Sequence, residues 1–142
     1  MEKKPEHLKI KALPPSLREK AHYVAFEIIS ESGRRIPFSD FSREFEKSFF
    51  SLAGALSYAR ANPKALYDTF DSDSGTGIIK VERGYDEMLR AALCTIKNIK
   101  VDNSAEEHLI VESITTSGSI RKAKRRIKER IEELQAANLQ AN

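Results

Sequence analysis

The sequence contains a single cysteine, Cys94, and no tryptophan. One cysteine cannot form an internal disulfide bond or build a zinc site alone, and such sparse use fits a reducing compartment. The three histidines, at 7, 22 and 108, lack the close spacing of metal ligands on one helix. The sequence therefore predicts neither redox chemistry nor a metal site on the protein.

Long apolar runs are also missing. No run approaches the roughly 20 residues that a transmembrane helix needs, and the opening "MEKKPEHLKI" lacks the apolar core of a secretion signal. Without tryptophan and with few bulky apolar side chains, the basic helix near the C-terminus has little to hold it at a membrane surface. We therefore expect a cytoplasmic protein with no membrane partner.

The familiar motifs of catalysis are absent as well. The sequence has no G-x-S-x-G nucleophile turn, no P-loop and no dinucleotide-binding fingerprint. Asp71, Asp73 and Glu82 have the spacing of a calcium loop, but Thr76 stands at the sixth position, where that loop needs glycine. We predict a hairpin turn there and no catalytic residues.

Positive charge is present but unevenly distributed. The net charge of the 142 residues is only +3, a modest value for one domain. One segment, residues 121–128, has no acidic residue and six basic ones: Arg121, Lys122, Lys124, Arg125, Arg126 and Lys128. Such a cluster attracts polyanions. A solvated helix face is the alternative, with Glu129, Glu132 and Glu133 pairing to Arg125 and Lys128.

Apolar periodicity predicts a single domain in three parts: an N-terminal arm (1–20), an α/β core (21–116) and a basic helix with a frayed tail (117–142). Within the core, Ser39 or Asp40 is the expected N-cap of the first helix, and Asn62 with Pro63 is its expected end. The predicted elements are a strand over 22–30, a helix over 38–61, hairpin strands over 64–71 and 78–83, a helix over 84–99, a strand over 108–116 and a helix from Ile120.

This βαββαβ order predicts an α+β fold of the ferredoxin-like, RNA-recognition-like type. An antiparallel sheet would carry two helices on one face and leave the other face free, with the basic helix added at the end. Five of the seven phenylalanines fall in the first helix region and are read as core. The strand "GIIKVER" lacks the aromatics that stack bases in RNA-recognition motifs. We therefore expect RNA to be recognised through its phosphate backbone and its shape and not through bases stacked on this strand.

The basic helix has two distinct sides in its sequence. Ile120, Ala123, Ile127, Ile131 and Leu134 form an apolar stripe, which predicts docking onto the sheet or onto a partner. Arg121, Lys122, Arg125 and Lys128 flank the opposite face, spaced to follow neighbouring phosphates.

Three stretches carry a resemblance to a known family: "KALPPSLREKAHYVAFEIISE", "GIIKVERGYDEMLRAAL" and "SGSIRKAKRRI". In order and spacing they resemble the archaeal ribonuclease P protein component 2 family, from about residue 8 to about residue 128. The resemblance implies a subunit of the ribonucleoprotein endonuclease that removes 5′ leaders from precursor tRNA. It also implies that the RNA carries the active site and the magnesium, so that the chain alone is not catalytic.

The resemblance further implies partners and contact residues. The partners would be ribonuclease P RNA, precursor tRNA indirectly, and protein component 3, a TIM-barrel-like subunit, in a heterotetramer. Ser117, Gly118 and Ser119 would form the turn that presents the basic helix. The implied RNA contacts are Arg18, Lys20, Arg83, Arg90, Arg121, Lys122, Lys124, Arg125 and Arg126. Two other functions stay open: a ferredoxin-like metabolite-binding or regulatory domain with an incidental basic helix, and a nuclease that acts without RNA.

Overall fold

The computed structural model of the chain describes residues 21–141, and its elements alternate between strands and helices. None of the helices in this range is both long and apolar enough to cross a membrane. The elements are β1 (Ala21–Ser30), α1 (Phe38–Ala61), β2 (Lys64–Ala65), a 3₁₀ turn (Tyr67–Thr69), β3 (Thr76–Glu82), α2 (Asp86–Thr95), β4 (Asn98–Val101), β5 (Ala105–Ser117) and α3 (Ile120–Ala141).

The five strands form one antiparallel sheet in the order β2-β3-β1-β5-β4. The central strand β1 pairs with β3 through Ala21 and Glu82, and with β5 through Tyr23 and Ser117. Because both neighbours are antiparallel to β1, their C-terminal ends lie beside the start of β1. The fold is the α+β, ferredoxin-like arrangement predicted from the sequence, with β4 added at one edge.

The larger core lies between the sheet and the helices α1 and α2. Val24, Phe26 and Ile28 alternate along β1 and bury their side chains on this face. Phe41 and Phe45 of α1 are 0 and 1% exposed, and the ring of Phe41 stacks on Phe26 with centroids 4.6 Å apart. The prediction that the α1 phenylalanines are core side chains is confirmed for these rings.

The second face of the sheet is not free, because α3 packs on it. Ala123 and Ile127 of α3 are buried against Ala25 of β1 and Ile78 of β3, with Ile114 packed beside them. The prediction that the apolar stripe docks on the sheet is confirmed from Ile120 to Ile131 but not for Leu134, which is 38% exposed. The expectation of an open sheet face was wrong. Three-to-four-residue spacing gives α3 one apolar side, and the alternate residues of β1 and β3 supply the matching surface.

The predicted hairpin before β3 differs from the structure in its first half. Only Lys64 and Ala65 pair as a strand, and the following 3₁₀ turn replaces the rest of the expected strand over 64–71. The hydroxyl of Thr69 donates to the carbonyl of Leu66 at 2.8 Å and accepts from the amide of Ile78 at 3.1 Å. A side chain therefore takes over the hydrogen bonds that a strand ladder would make.

The sequence prediction missed β4 by extending α2 to residue 99. The helix ends at Thr95, whose hydroxyl donates to the carbonyl of Ala92 at 2.6 Å. Ile99 and Val101 are then buried alternately, as in a strand. In the three-residue turn to β5, Asp102 and Asn103 have φ values of 51° and 55°, and the amide of Ser104 donates to the carbonyl of Val101 at 3.0 Å. Successive positive φ values are the conformation in which a hairpin reverses direction tightly.

Helix α1 also departs from expectation at both its start and its middle. It begins after Pro37 with no side-chain cap, so neither Ser39 nor Asp40 is the N-cap. Asp40 is instead buried in the first turn and accepts a hydrogen bond from the amide of Asp102 at 3.2 Å. The helix is broken at Gly54, where φ is 80° and ψ is 168°. Its predicted end at Asn62 is confirmed, with the left-handed φ of 44°.

The break at Gly54 changes which side chains of α1 reach the core. Leu56, two residues beyond the break, is 65% exposed although it follows Phe45, Phe49 and Leu52 at helical spacing, and Leu52, two residues before the break, is already 49% exposed. The rotation of the chain at a non-helical glycine takes the following turns out of register with the preceding ones.

Candidate nucleic-acid interface

Helix α3 is presented by a short turn that also caps it. Ser119 is the N-cap: its hydroxyl accepts from the amide of Lys122 at 3.2 Å, and its carbonyl accepts from the amide of Ala123 at 3.2 Å. The Ser119 amide donates to the hydroxyl of Ser117 at 3.2 Å. Gly118 is the remaining residue between β5 and α3. The three turn residues named from the sequence therefore fix where α3 starts.

The outward side of α3 carries a row of cations without acidic partners. Arg121, Lys122 and Arg125 are exposed, and none of them forms an ion pair with another residue of the range 21–141. Side chains three or four positions apart on a helix have Cβ atoms about 5–6 Å apart. We call these three residues the outward row.

Arg126 differs from its neighbours in the same segment. Its Nη1 lies 3.7 Å from Glu129 Oε2 and 3.4 Å from Glu133 Oε1. The solvated-face alternative predicted from the sequence pairs these glutamates with Arg125 and Lys128 instead. Arg126 is therefore largely neutralised within its own helix, whereas the outward row is not.

Arg130 anchors α3 to the sheet beneath it. Its Nε lies 3.4 Å from Oε2 of Glu27 on β1, and its Nη2 lies 4.0 Å from Oε2 of Glu112 on β5. Glu27 is only 9% exposed, so the contact with Arg130 replaces hydrogen bonds to water that its carboxylate loses under α3. Neither residue was named from the sequence, since 103 positions separate them and only the sheet brings them together.

We expect Glu27→Gln to lower the free energy of unfolding by about 1–2 kcal/mol, because a charge-assisted hydrogen bond under α3 is lost. Glu112→Gln is the matched control: its carboxylate is 53% exposed, and its loss should cost less than about 0.5 kcal/mol. Urea denaturation followed by circular dichroism measures both. Equal effects of the two substitutions would contradict the assignment of Glu27 as the anchor.

The remaining predicted contact residues fall in different places. Arg83 lies in the turn after β3, at the end of the sheet where α3 also begins. Arg90 lies on α2, across the sheet from α3, and its Nε donates to the hydroxyl of Ser113 at 3.2 Å. Lys124 is exposed on the flank of α3 that faces the 3₁₀ turn. Arg18 and Lys20 lie outside the described residues. The structure thus brings Arg83 to the end of the sheet where the basic segment starts, but not Arg90.

Two further lysines join the α3 side of the sheet. Lys64 of β2 and Lys80 of β3 are directly opposed partners, so their side chains share one face. Lys80 is two residues from Ile78, which contacts α3, and this face is therefore the α3 face. Like charges opposed across a strand pair are unfavourable by themselves. An anion bound on this side would relieve that repulsion.

The start of α3 is electrostatically positive for a second reason. Its first turn has no acidic residue, so the unpaired amides of the helix N-terminus add to the charge of the side chains.

The start of α2 differs, because Asp86 lies in its first turn. Its partial burial favours the neutral acid, but hydrogen bonds from its own amide, the His22 ring and the Gly84 amide hold the pKa of the carboxyl below its ordinary value. Asp86 is therefore anionic at neutral pH, and the His22 ring nitrogen lies 3.2 Å from it.

Metal-ligating side chains are not gathered in the described part of the chain, where no three His, Cys, Asp or Glu residues form a group that could hold an ion. The Asp71 region forms a turn closed by the pairing of Asp71 with Thr76. The Asp71 carboxylate accepts from the amide of Asp73 at 2.9 Å and the hydroxyl of Ser74 at 3.1 Å. The acidic stretch thus stabilises a turn.

Comparisons with known proteins give consistent matches over most of the chain. The model of the Rpp14/Pop5 family matches residues 22–128. Ribonuclease P protein component 2 of Thermococcus kodakarensis is 36% identical over 118 residues, which cover 83% of this chain and 91% of that protein. The protein of the same name from Pyrococcus horikoshii is 33% identical over 123 residues, with the same two coverages.

A solved structure has the same fold. A chain in the cryo-EM structure of yeast ribonuclease MRP superposes with a TM-score of 0.52 at 14% sequence identity, and the match covers 84% of this chain and 95% of that chain. At this identity the likeness establishes the architecture alone.

Proposed function

Because this chain belongs to the Rpp14/Pop5 family of ribonuclease P protein subunits, we propose that it binds and supports the RNA of ribonuclease P during removal of 5′ leaders from precursor tRNA. The observation that carries the RNA-binding part is the outward row of α3, which is exposed and has no acidic partner within residues 21–141. The family resemblance noted in the sequence is confirmed by the matches.

The proposed mechanism is neutralisation of crowded phosphates. A folded catalytic RNA brings backbone phosphates close together, and their repulsion must be offset by cations. Arg121 and Arg125 are one turn apart on α3, so their guanidinium groups can each contact a neighbouring phosphate, with two hydrogen bonds per group. The amides at the start of α3 favour an anion at the same place. The protein would thereby lower the magnesium concentration at which the RNA folds.

Magnesium in this scheme belongs to the RNA. Mg²⁺ retains several waters and is usually held by a few carboxylates together with phosphates. Within residues 21–141 no three His, Cys, Asp or Glu side chains form a group that could hold an ion, and Glu27, Glu129 and Glu133 already pair with arginines. The chain is therefore proposed to supply positive charge and position, while the RNA supplies the metal site and the active site.

A protein partner is also proposed. The family resemblance implies component 3, and the described surface offers exposed apolar side chains away from the outward row. Leu52 and Leu56 of α1, which flank the break at Gly54, and Phe50 beside them, are each about half exposed or more. Clusters of this kind mark protein contacts more often than isolated apolar residues do.

Reconstitution tests the proposed function. The catalytic RNA, component 3 and this chain are combined, and 5′ cleavage of precursor tRNA is followed as a function of Mg²⁺ concentration. We expect cleavage at lower Mg²⁺ when the chain is present than when it is omitted. An unchanged magnesium dependence would overturn the proposed role. Cleavage by the chain without RNA would instead identify a protein nuclease.

A further inference from the structure

A groove of about 450 Å³ runs between α3 and the segment before β3. Its floor contains Ile127 and Ile131, Lys124 and Lys128 line the α3 wall, and Asp68 of the 3₁₀ turn lies on the opposite wall. The volume is within the range of pockets that hold small organic ligands. Glu132 also lines the α3 side, so this side has two lysines and one carboxylate, and the opposite side has Asp68 and Asp71. The groove thus combines an apolar floor with lysines on one side and carboxylates facing them.

The charged side chains of the two walls do not form ion pairs with each other. Among residues 21–141, neither lysine forms an ion pair, and the Asp68 carboxylate makes neither an ion pair nor a hydrogen bond. The neighbouring Asp71 is different, because both of its carboxylate oxygens accept hydrogen bonds within its own turn. Asp68 is therefore the carboxylate of this wall that can serve a ligand.

We propose that this groove holds one unpaired guanosine nucleotide of the bound RNA. Its phosphate would contact Lys124 and Lys128, and its base would lie over Ile127 and Ile131. The proposal rests on the proposed RNA-binding function and adds a base preference to it.

The choice of guanine follows from hydrogen-bond chemistry. A carboxylate only accepts hydrogen bonds and has two oxygens to do so. Guanine has two adjacent donor groups, N1–H and the 2-amino group, on its Watson–Crick edge, so the Asp68 carboxylate can accept from both. The other three bases lack two adjacent donors there. The guanosine must be unpaired, because pairing occupies the same edge.

The experiment measures the Kd of the full chain for an RNA stem with one bulged guanosine, and for the same RNA with inosine, which lacks the 2-amino group. We expect the wild-type protein to prefer the guanosine RNA by about tenfold. Asp68→Asn should abolish this preference. Because this variant removes a negative charge, its affinity for the inosine RNA should not fall.

Asp73→Asn is the matched control. Asp73 is exposed, pairs with Arg35 at 2.9 Å and does not line this groove, so this variant should keep the guanosine preference. Equal binding of the two RNAs by wild type, or a preference retained in Asp68→Asn, would overturn the groove assignment while leaving RNA binding intact. Absence of binding to either RNA would overturn the proposed function together with it.

Discussion

Replacing Arg121, Lys122 and Arg125 together by alanine is expected to weaken RNA binding about 100-fold at low salt. Each side chain is exposed on α3 and lacks an acidic partner among the described residues, so each is free to contact phosphate. Loss of three phosphate contacts should also lower the slope of log K against log salt by about two to three. Filter binding to structured RNA across a salt series measures both quantities.

A charge-matched control separates a local contact from the overall field. Lys47 and Arg60 of α1 and Lys97, which lies between α2 and β4, are exposed outside α3. Replacing all three by alanine removes the same net charge. This variant should change the salt slope little. Arg126→Ala is a second control within α3, because Glu129 and Glu133 already neutralise Arg126. If the control triple weakened binding as much as the outward-row triple, the outward row would not be the contact.

Phe41→Ala is expected to cause the largest loss of stability, about 3–5 kcal/mol. Phe41 is fully buried, and its ring contacts Phe26, Phe45 and Phe70 with centroid distances of 4.6, 6.2 and 6.2 Å. Its removal leaves a cavity between α1 and the sheet that surrounding rings cannot fill without moving. Thermal and urea denaturation of the variant should both shift to milder conditions.

Phe50→Ala provides the comparison for this substitution. Phe50 is in the same helix but is 50% exposed, so the same change of side chain should cost about 1 kcal/mol or less. Similar losses for Phe41 and Phe50 would mean that the core does not centre on the stacked rings. Phe41→Leu, which restores most of the volume, should recover much of the stability.

The elements that were predictable from the sequence are those whose periodicity admits one interpretation. Alternation over β1 and the spacing of Phe41, Phe45 and Phe49 each fit a single element type. The strand β4 was missed because Ile96 and Ile99 fit a helix as well as a strand. The Asp102-Asn103 pair was the available signal of a hairpin, since these residue types favour the positive φ that such turns need.

The candidate site was predictable in its charge but not in its arrangement. The basic run was plain in the sequence, yet Arg126 and Arg125 look equivalent there, and only the structure pairs the first with Glu129 and Glu133. Lys64 and Lys80 could not be associated, because their apposition depends on strand register. Local sequence carries composition and period, whereas contacts between distant segments follow from topology.

The helices on the two faces of the sheet are held by unequal amounts of apolar contact. Among residues 21–141, the face with α1 and α2 encloses eighteen buried apolar side chains, whereas the contact beneath α3 has four. We therefore expect α3 to open from the sheet at a lower free energy than the rest of the domain, as a separate cooperative unit. A subunit built this way can adjust its basic helix to an irregular RNA surface while the remainder of the domain stays folded.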